Sequence, residues 1–307
     1  MRIPPRIYIP AILALAVVGG VGALLIWQIR TSVNVIELAF RGVQGAKEAV
    51  FNPGSGSQDL NPQNQSEALI HLRQGEIFER RGEWSQAEGE YVQSVTSGGG
   101  APALRKLIRI QLQRREYEAA GDSIDKLRKE TRDSDEIMLL SGLLQLRTGK
   151  TDAARATFSA KPETPQGQYG LALAAIAAGD YAAAQDQLKL AAQNSDATIR
   201  TYAATLLGAF NEFSLFAEGQ DTHLATLLGR ALAQVGECES ALTLVDGVTA
   251  KQDRYRDAWI VKGYCEFTTE RLQDALASLE RAYSIDPEKP ETQYFLARTH
   301  AALGDPQ

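Results

Sequence analysis

Between residues 67 and 304 the apolar positions recur at spacings of three and four, with charged residues filling most of the gaps, which predicts a succession of short amphipathic helices. The stretch Gly75 to Tyr91 shows the unit. Phe78 lies one turn after Gly75, Gly82 interrupts the helix, and Trp84, Ala87 and Tyr91 then recur at three and four residues. Two short helices bury too little to stand alone, so such a unit needs neighbours. The spacing does recur. A small residue returns in the second helix as Ala87, Ala120, Ala154, Ala184, Ala241 and Ala275, at intervals of 33, 34, 30, 57 and 34 residues. A matching ladder in the first helix runs through Gly75, Ile108, Gly142, Ala172, Gly229, Gly263 and Ala297. Five of the seven turns between the helices carry glycine, at Gly82, Gly149, Gly179, Gly236 and Gly304, while Arg115 and Glu270 stand in the other two.

The register breaks once. Within the 57-residue interval, Ile199, Tyr202, Ala203, Leu206, Leu207, Phe210 and Phe213 follow a helical period, which predicts an inserted helix and a break in the stack around 211–221. The chain then divides into repeats over 67–198, an extra helix and break over 199–221, and two further repeats with a terminal helix over 222–304.

This pattern resembles the tetratricopeptide repeat family, whose period is about 34 residues with a helix-turn-helix in each repeat. The residues that carry the resemblance best are Gly75, Phe78, Gly82, Trp84, Ala87 and Tyr91 in the first repeat, and Trp259, Gly263, Ala275, Leu279, Ala282 and Pro287 in the sixth. It implies an all-α, right-handed solenoid that stacks repeat on repeat. It also implies a concave groove lined by the first helix of each repeat. Carried onto this chain, that groove opens with Arg105 and Arg109 and becomes apolar through Leu139, Leu143, Leu146, Tyr169, Leu173 and Ile176. It continues with Arg230, Tyr264, Phe267, Tyr294 and Arg298. A basic entry and an apolar middle suit a peptide or helix of another protein. The Lys and Asn pairing with which some relatives clamp a C-terminal carboxylate is absent, because Arg105 and Arg109 occupy the comparable places.

Ahead of the repeats, residues Ile7 to Ile29 contain no charged residue, and 23 residues suffice to cross a hydrocarbon layer of about 30 Å. One transmembrane helix is expected within 1–30, with Tyr8 and Trp27 near its ends. A cleaved signal peptide is the competing reading, although its apolar core is normally shorter and ends at a small-residue site. Ala16, Gly19, Gly20 and Ala23 share one face of this helix, where two spans could approach as a homodimer, although glycine is common in membrane helices generally. Ile36, Phe40, Val43 and Val50 predict a juxtamembrane amphipathic helix over 31–51, and the Pro, Gly, Asn, Gln and Ser of 52–66 a flexible linker. Lysine and arginine are nearly balanced across the span, and only the short N-terminal flank favours repeats on the extracytoplasmic side.

Composition narrows the function. A net charge of −6 without a basic block argues against general nucleic-acid binding. His71, His223 and His300 lie in three distant repeats, and the TGKT of Thr148 to Thr151 lacks the preceding glycine and strand of a phosphate-binding loop, so neither metal, cofactor nor catalysis is expected. Cys238 and Cys265 fall in adjacent repeats, where either a disulfide or two small buried thiols would fit. The reading is a membrane-anchored scaffold that binds another protein. The rivals are a secreted repeat module released by signal cleavage, and the recruiting region of a longer enzyme.

Overall fold

The computed structural model describes residues 62–216 and 220–304, and the predicted membrane span, amphipathic helix and most of the linker lie outside them. Within these residues there are fourteen helices and no strand. Six hairpins account for twelve of them. They are α1 (Pro62–Arg81) with α2 (Trp84–Thr96), α3 (Gly100–Gln113) with α4 (Tyr117–Glu130), and α5 (Ser134–Arg147) with α6 (Thr151–Phe158). Then come α7 (Pro165–Ala177) with α8 (Tyr181–Ala191), α10 (Asp221–Val235) with α11 (Cys238–Lys251), and α12 (Arg256–Thr268) with α13 (Leu272–Ile285). A single helix, α9 (Ala197–Phe213), stands between the fourth and fifth hairpins, and α14 (Pro290–Leu303) follows the sixth. The first helix opens at Pro62, inside the stretch that composition assigns to the linker. Among the described residues no helix is long and apolar enough to cross a membrane.

The small-residue ladders explain why the hairpins stack. All six alanines of the second-helix ladder are fully buried, at 0% exposure. Opposite them several first helices carry glycine where a bulky side chain presses in, Tyr91 on Gly75, Phe158 on Gly142, Val245 on Gly229 and Leu279 on Gly263. A Cβ on Gly142 or on Gly170 would stand 2.2 Å from an atom of the Phe158 ring, so this one side chain wedges α5, α6 and α7 together. Phe158 ends the eight-residue α6, the shortest helix, and the closure by Thr164 and Pro165 follows. The Thr164 hydroxyl accepts from the Gly167 amide and Pro165 occupies the first helical turn. Ala297 of α14 has no following helix to meet among the described residues, and it is exposed.

The inserted helix is long, and its Asp196 cap accepts from the amides of Thr198 and Ile199. Ile199, Tyr202, Ala203, Leu206 and Phe210 are buried along it as it packs between α8 and α10. It thereby carries the stack across the register slip with one helix where a repeat would use two.

Candidate protein-docking surface and the seam across it

The expected basic entry is already neutralised. Arg105 donates from Nε and Nη2 to the two carboxylate oxygens of Glu136 at 2.6 and 2.8 Å, a fork geometry of the strong bidentate kind. Arg109 donates to Glu79, and the same carboxylate accepts from the Tyr91 hydroxyl at 2.6 Å. Burial and the Glu79 charge both push the Tyr91 phenol upward, so it stays a donor.

The expected apolar middle is closed. Leu143, Tyr169, Leu173 and Ile176 are buried, with Tyr169 only 2% exposed. Leu139 and Leu146 pack against the cluster around Met138 and Phe158. What lies across this surface is the chain itself. The turn between α10 and α11 brings Glu237 to Arg147 at 2.9 Å, each side chain only 10% exposed. Arg115 Nε lies 3.3 Å from Glu239, and Arg114 Nε lies 3.4 Å from Glu270. Gln113 donates to the Thr268 carbonyl at 2.8 Å, a contact between residues 155 apart in sequence. Burial alone would lower the Arg147 pKa, and the facing Glu237 outweighs it, so Arg147 stays charged. Burial, with the Glu237 charge behind it, pushes the Tyr169 phenol well up, and its ring lies 5.9 Å from that of Tyr202.

The turns on the two sides of this seam share one peculiarity. Four of the six hairpin turns place glycine in the left-handed region, as at Gly236 with φ 86°. Arg115 at φ 65° and Glu270 at φ 59° adopt it with a full side chain, at a cost of roughly 1–2 kcal/mol each. Both face the seam, so the two turns that give up glycine are the ones that need a charge there. Arg114 is crowded by further carboxylates on its own side, Glu88 and Glu116, the latter at 3.0 Å. Burial first, and then the hydrogen bond and charge of Glu116, push the Glu88 carboxyl up to about 7.

Beyond the seam, the inner face of α12 and α14 is open. Tyr264 packs edge-on against Phe295, and Phe295 against Tyr294, each at 5.2 Å between ring centres. The Arg298 guanidinium lies over Phe267 at 5.1 Å and over Tyr294 at 5.7 Å. Tyr294 is 38% exposed and Arg298 is exposed. Arg230 is exposed too, and pairs with Glu212 of α9. The thirteen positions assigned to one groove thus fall into three settings: an ion-paired entry, a closed middle and an open aromatic end. The carboxylates that close the middle, Glu237, Glu239 and Glu270, escape a groove reading because they lie in hairpin turns or, for Glu239, at the start of a second helix. The charged residues at Arg115 and Glu270 in place of glycine were the visible signal.

The two cysteines are not joined in a disulfide, and both are buried. Cys238 Sγ lies 3.2 Å from the Thr268 hydroxyl, and burial, with Cys238 beside it, pushes the Cys265 thiol well up. Of the histidines, His71 pairs with Glu90 and His223 with the Tyr255 hydroxyl, both at 2.7 Å, in separate parts of the stack.

The arrangement is that of a helical-hairpin solenoid. Residues 105–167 and 226–290 match the tetratricopeptide repeat family model. No curated protein matches the sequence. Among solved structures, the chain is similar to the Cut9–Hcn1 heterotetramer of the APC/C, with 13% identity, a TM-score of 0.42, and an alignment over 76% of this chain and 42% of that one. It thus spans less than half the length of that relative. A tetratricopeptide repeat protein from Parabacteroides merdae aligns over 88% of this chain and 96% of its own, with 15% identity and a TM-score of 0.40. PilW, a type IV pilus biogenesis factor, aligns over 75% and 98%, with 16% identity and a TM-score of 0.39.

Proposed function

We propose that this protein is a membrane-anchored scaffold that binds another protein, working in the assembly or maintenance of a membrane or cell-envelope complex rather than as a catalyst. The observation that carries the binding role is the open end of the inner surface. There Arg298 is held across Phe267 and Tyr294, with Tyr264 and Phe295 beneath. Tyrosine and arginine dominate the energetic centres of protein interfaces, and a guanidinium already stacked on rings loses little freedom on binding. The uncharged run from Ile7 to Ile29 supports anchoring, with the repeats on the extracytoplasmic side.

The test is crosslinked capture from membranes with the wild type and with Tyr294→Ala/Arg298→Ala. The variant should lose its partner while keeping its helical content, and unchanged capture would sink the reading. Alkaline carbonate washing of the same membranes tests the anchor, which fails if the full chain is released.

A further inference from the structure

The seam joins hairpins that lie far apart in the chain, and charged groups face each other across it. Neighbouring hairpins combine packed alanine, glycine and buried side chains with ion pairs such as Arg105 with Glu136 and Arg109 with Glu79. Across the seam they meet through arginine and glutamate. The central pair, Arg147 with Glu237, is shielded, and each flanking pair joins a partly exposed side chain, Arg115 at 45% or Glu270 at 38%, to a more buried one, Glu239 or Arg114. Its hydrogen bonding is incomplete. The buried Nε atoms of Arg147 and Arg114 and the buried Oε1 of Glu239 have no hydrogen-bond partner. Burying charged atoms without full partnering forfeits their hydration, so such a contact is held weakly for the surface it covers. Polar contacts of this kind between parts of one chain separate readily.

We propose that Gln113, Arg115 and Arg147 form a second docking surface, for an acidic segment of a partner protein, and that the chain's own Glu237, Glu239 and Glu270 occupy it as a latch. The occupant identifies the ligand chemistry. Three carboxylates and a backbone carbonyl fill the site in cis, and an entering acidic segment supplies the same groups. When the latch leaves, Arg114 keeps Glu88 and Glu116, whereas Arg147 loses its Glu237 carboxylate and Arg115 its Glu239 carboxylate. Those two cations then attract the incoming acid. The flanking pairs give way first because solvent and salt reach their exposed members, Arg115 and Glu270, and the shielded pair follows. The inference rests on the reading of this chain as a protein-binding scaffold, but its test uses none of the residues that test that reading.

Amide hydrogen exchange on the full chain measures the latch without any partner. Raising the salt concentration should speed exchange at residues 111–116 and 236–242 by about tenfold, and leave α13 and α14 unchanged. Arg147→Glu should do the same at low salt, and the swapped pair Arg147→Glu/Glu237→Arg should restore protection. Glu239→Gln/Glu270→Gln, in the two flanking pairs, gives a milder opening in a chain that keeps its core. A labelled decaglutamate peptide then probes the site. Glu237→Gln/Glu239→Gln/Glu270→Gln should bind it about tenfold more tightly than wild type, and adding Arg115→Ala/Arg147→Ala should abolish the gain. Exchange indifferent to salt and to charge reversal would overturn the latch. Equal binding of the peptide to wild type and the triple variant would overturn the docking surface.

Discussion

The inner face of the third and fourth repeats and the inner face at α12 and α14 come from equivalent positions of the same repeat, yet one is core and the other is surface. Tyr169 and Tyr294 illustrate the contrast, at 2% and 38% exposure. The difference lies not in the residue type but in what stands opposite. Tyr169 meets the electrostatic field of Glu237 from the turn of the fifth repeat. Tyr294 meets its neighbours Phe295 and Arg298 and stays exposed. A position that lines a groove by register becomes a binding site only where the superhelix leaves it uncovered.

The largest effect that can break this comparison comes from a carboxylate placed in the closed region. Leu143→Asp with Tyr169→Asp should destabilise the protein by several kcal/mol, about 4 or more, in urea unfolding, because it buries charge without partners. A loss below about 1 kcal/mol would mean that the face is an open groove after all. Next, Arg147→Ala leaves Glu237 shielded and unpaired, and should cost about 3 kcal/mol in the same measurement. The loss should shrink when Glu237→Gln is added, since a neutral amide has no buried charge to strand.

A smaller effect should appear with pH. The Glu88 carboxyl, facing Arg114 and Glu116 and near Glu270, is raised from an ordinary value of 4.5 to about 7. A raised carboxyl favours the folded state while protonated, so its contribution is complete below the ordinary value and is lost as pH rises through about 7. The thermal midpoint should fall between pH 6 and pH 8 by about 1 °C or more, and Glu88→Gln should flatten that fall. The smallest stability effect belongs to the open end. Tyr294→Ala and Arg298→Ala should each cost less than about 1 kcal/mol, yet reduce partner capture about tenfold. A loss as large as that in the closed region would erase the distinction.

The packing rules were legible in the sequence to the level of single residues. Ala87, Ala120, Ala154, Ala184, Ala241 and Ala275 are buried because a small residue recurs wherever two helices must approach, and each such contact is local to a hairpin. The inserted helix was legible for the same reason, since Ile199, Tyr202, Leu206 and Phe210 carry their own period. The candidate site was legible only in part. Arg105 and Arg109 were identifiable as inner residues, but their partners Glu136 and Glu79 lie about 30 residues away, at a distance that periodicity does not pair.

The sequence by itself determined the repeat, its register and the place where that register slips, because these depend on contacts between neighbours in the chain. Only the tertiary structure decided which part of the inner surface is free. That choice depends on where one end of the stack arrives relative to the other, and it brings Gln113 beside Thr268, 155 residues away. A small rotation at each repeat accumulates along a solenoid, and no local pattern records the sum.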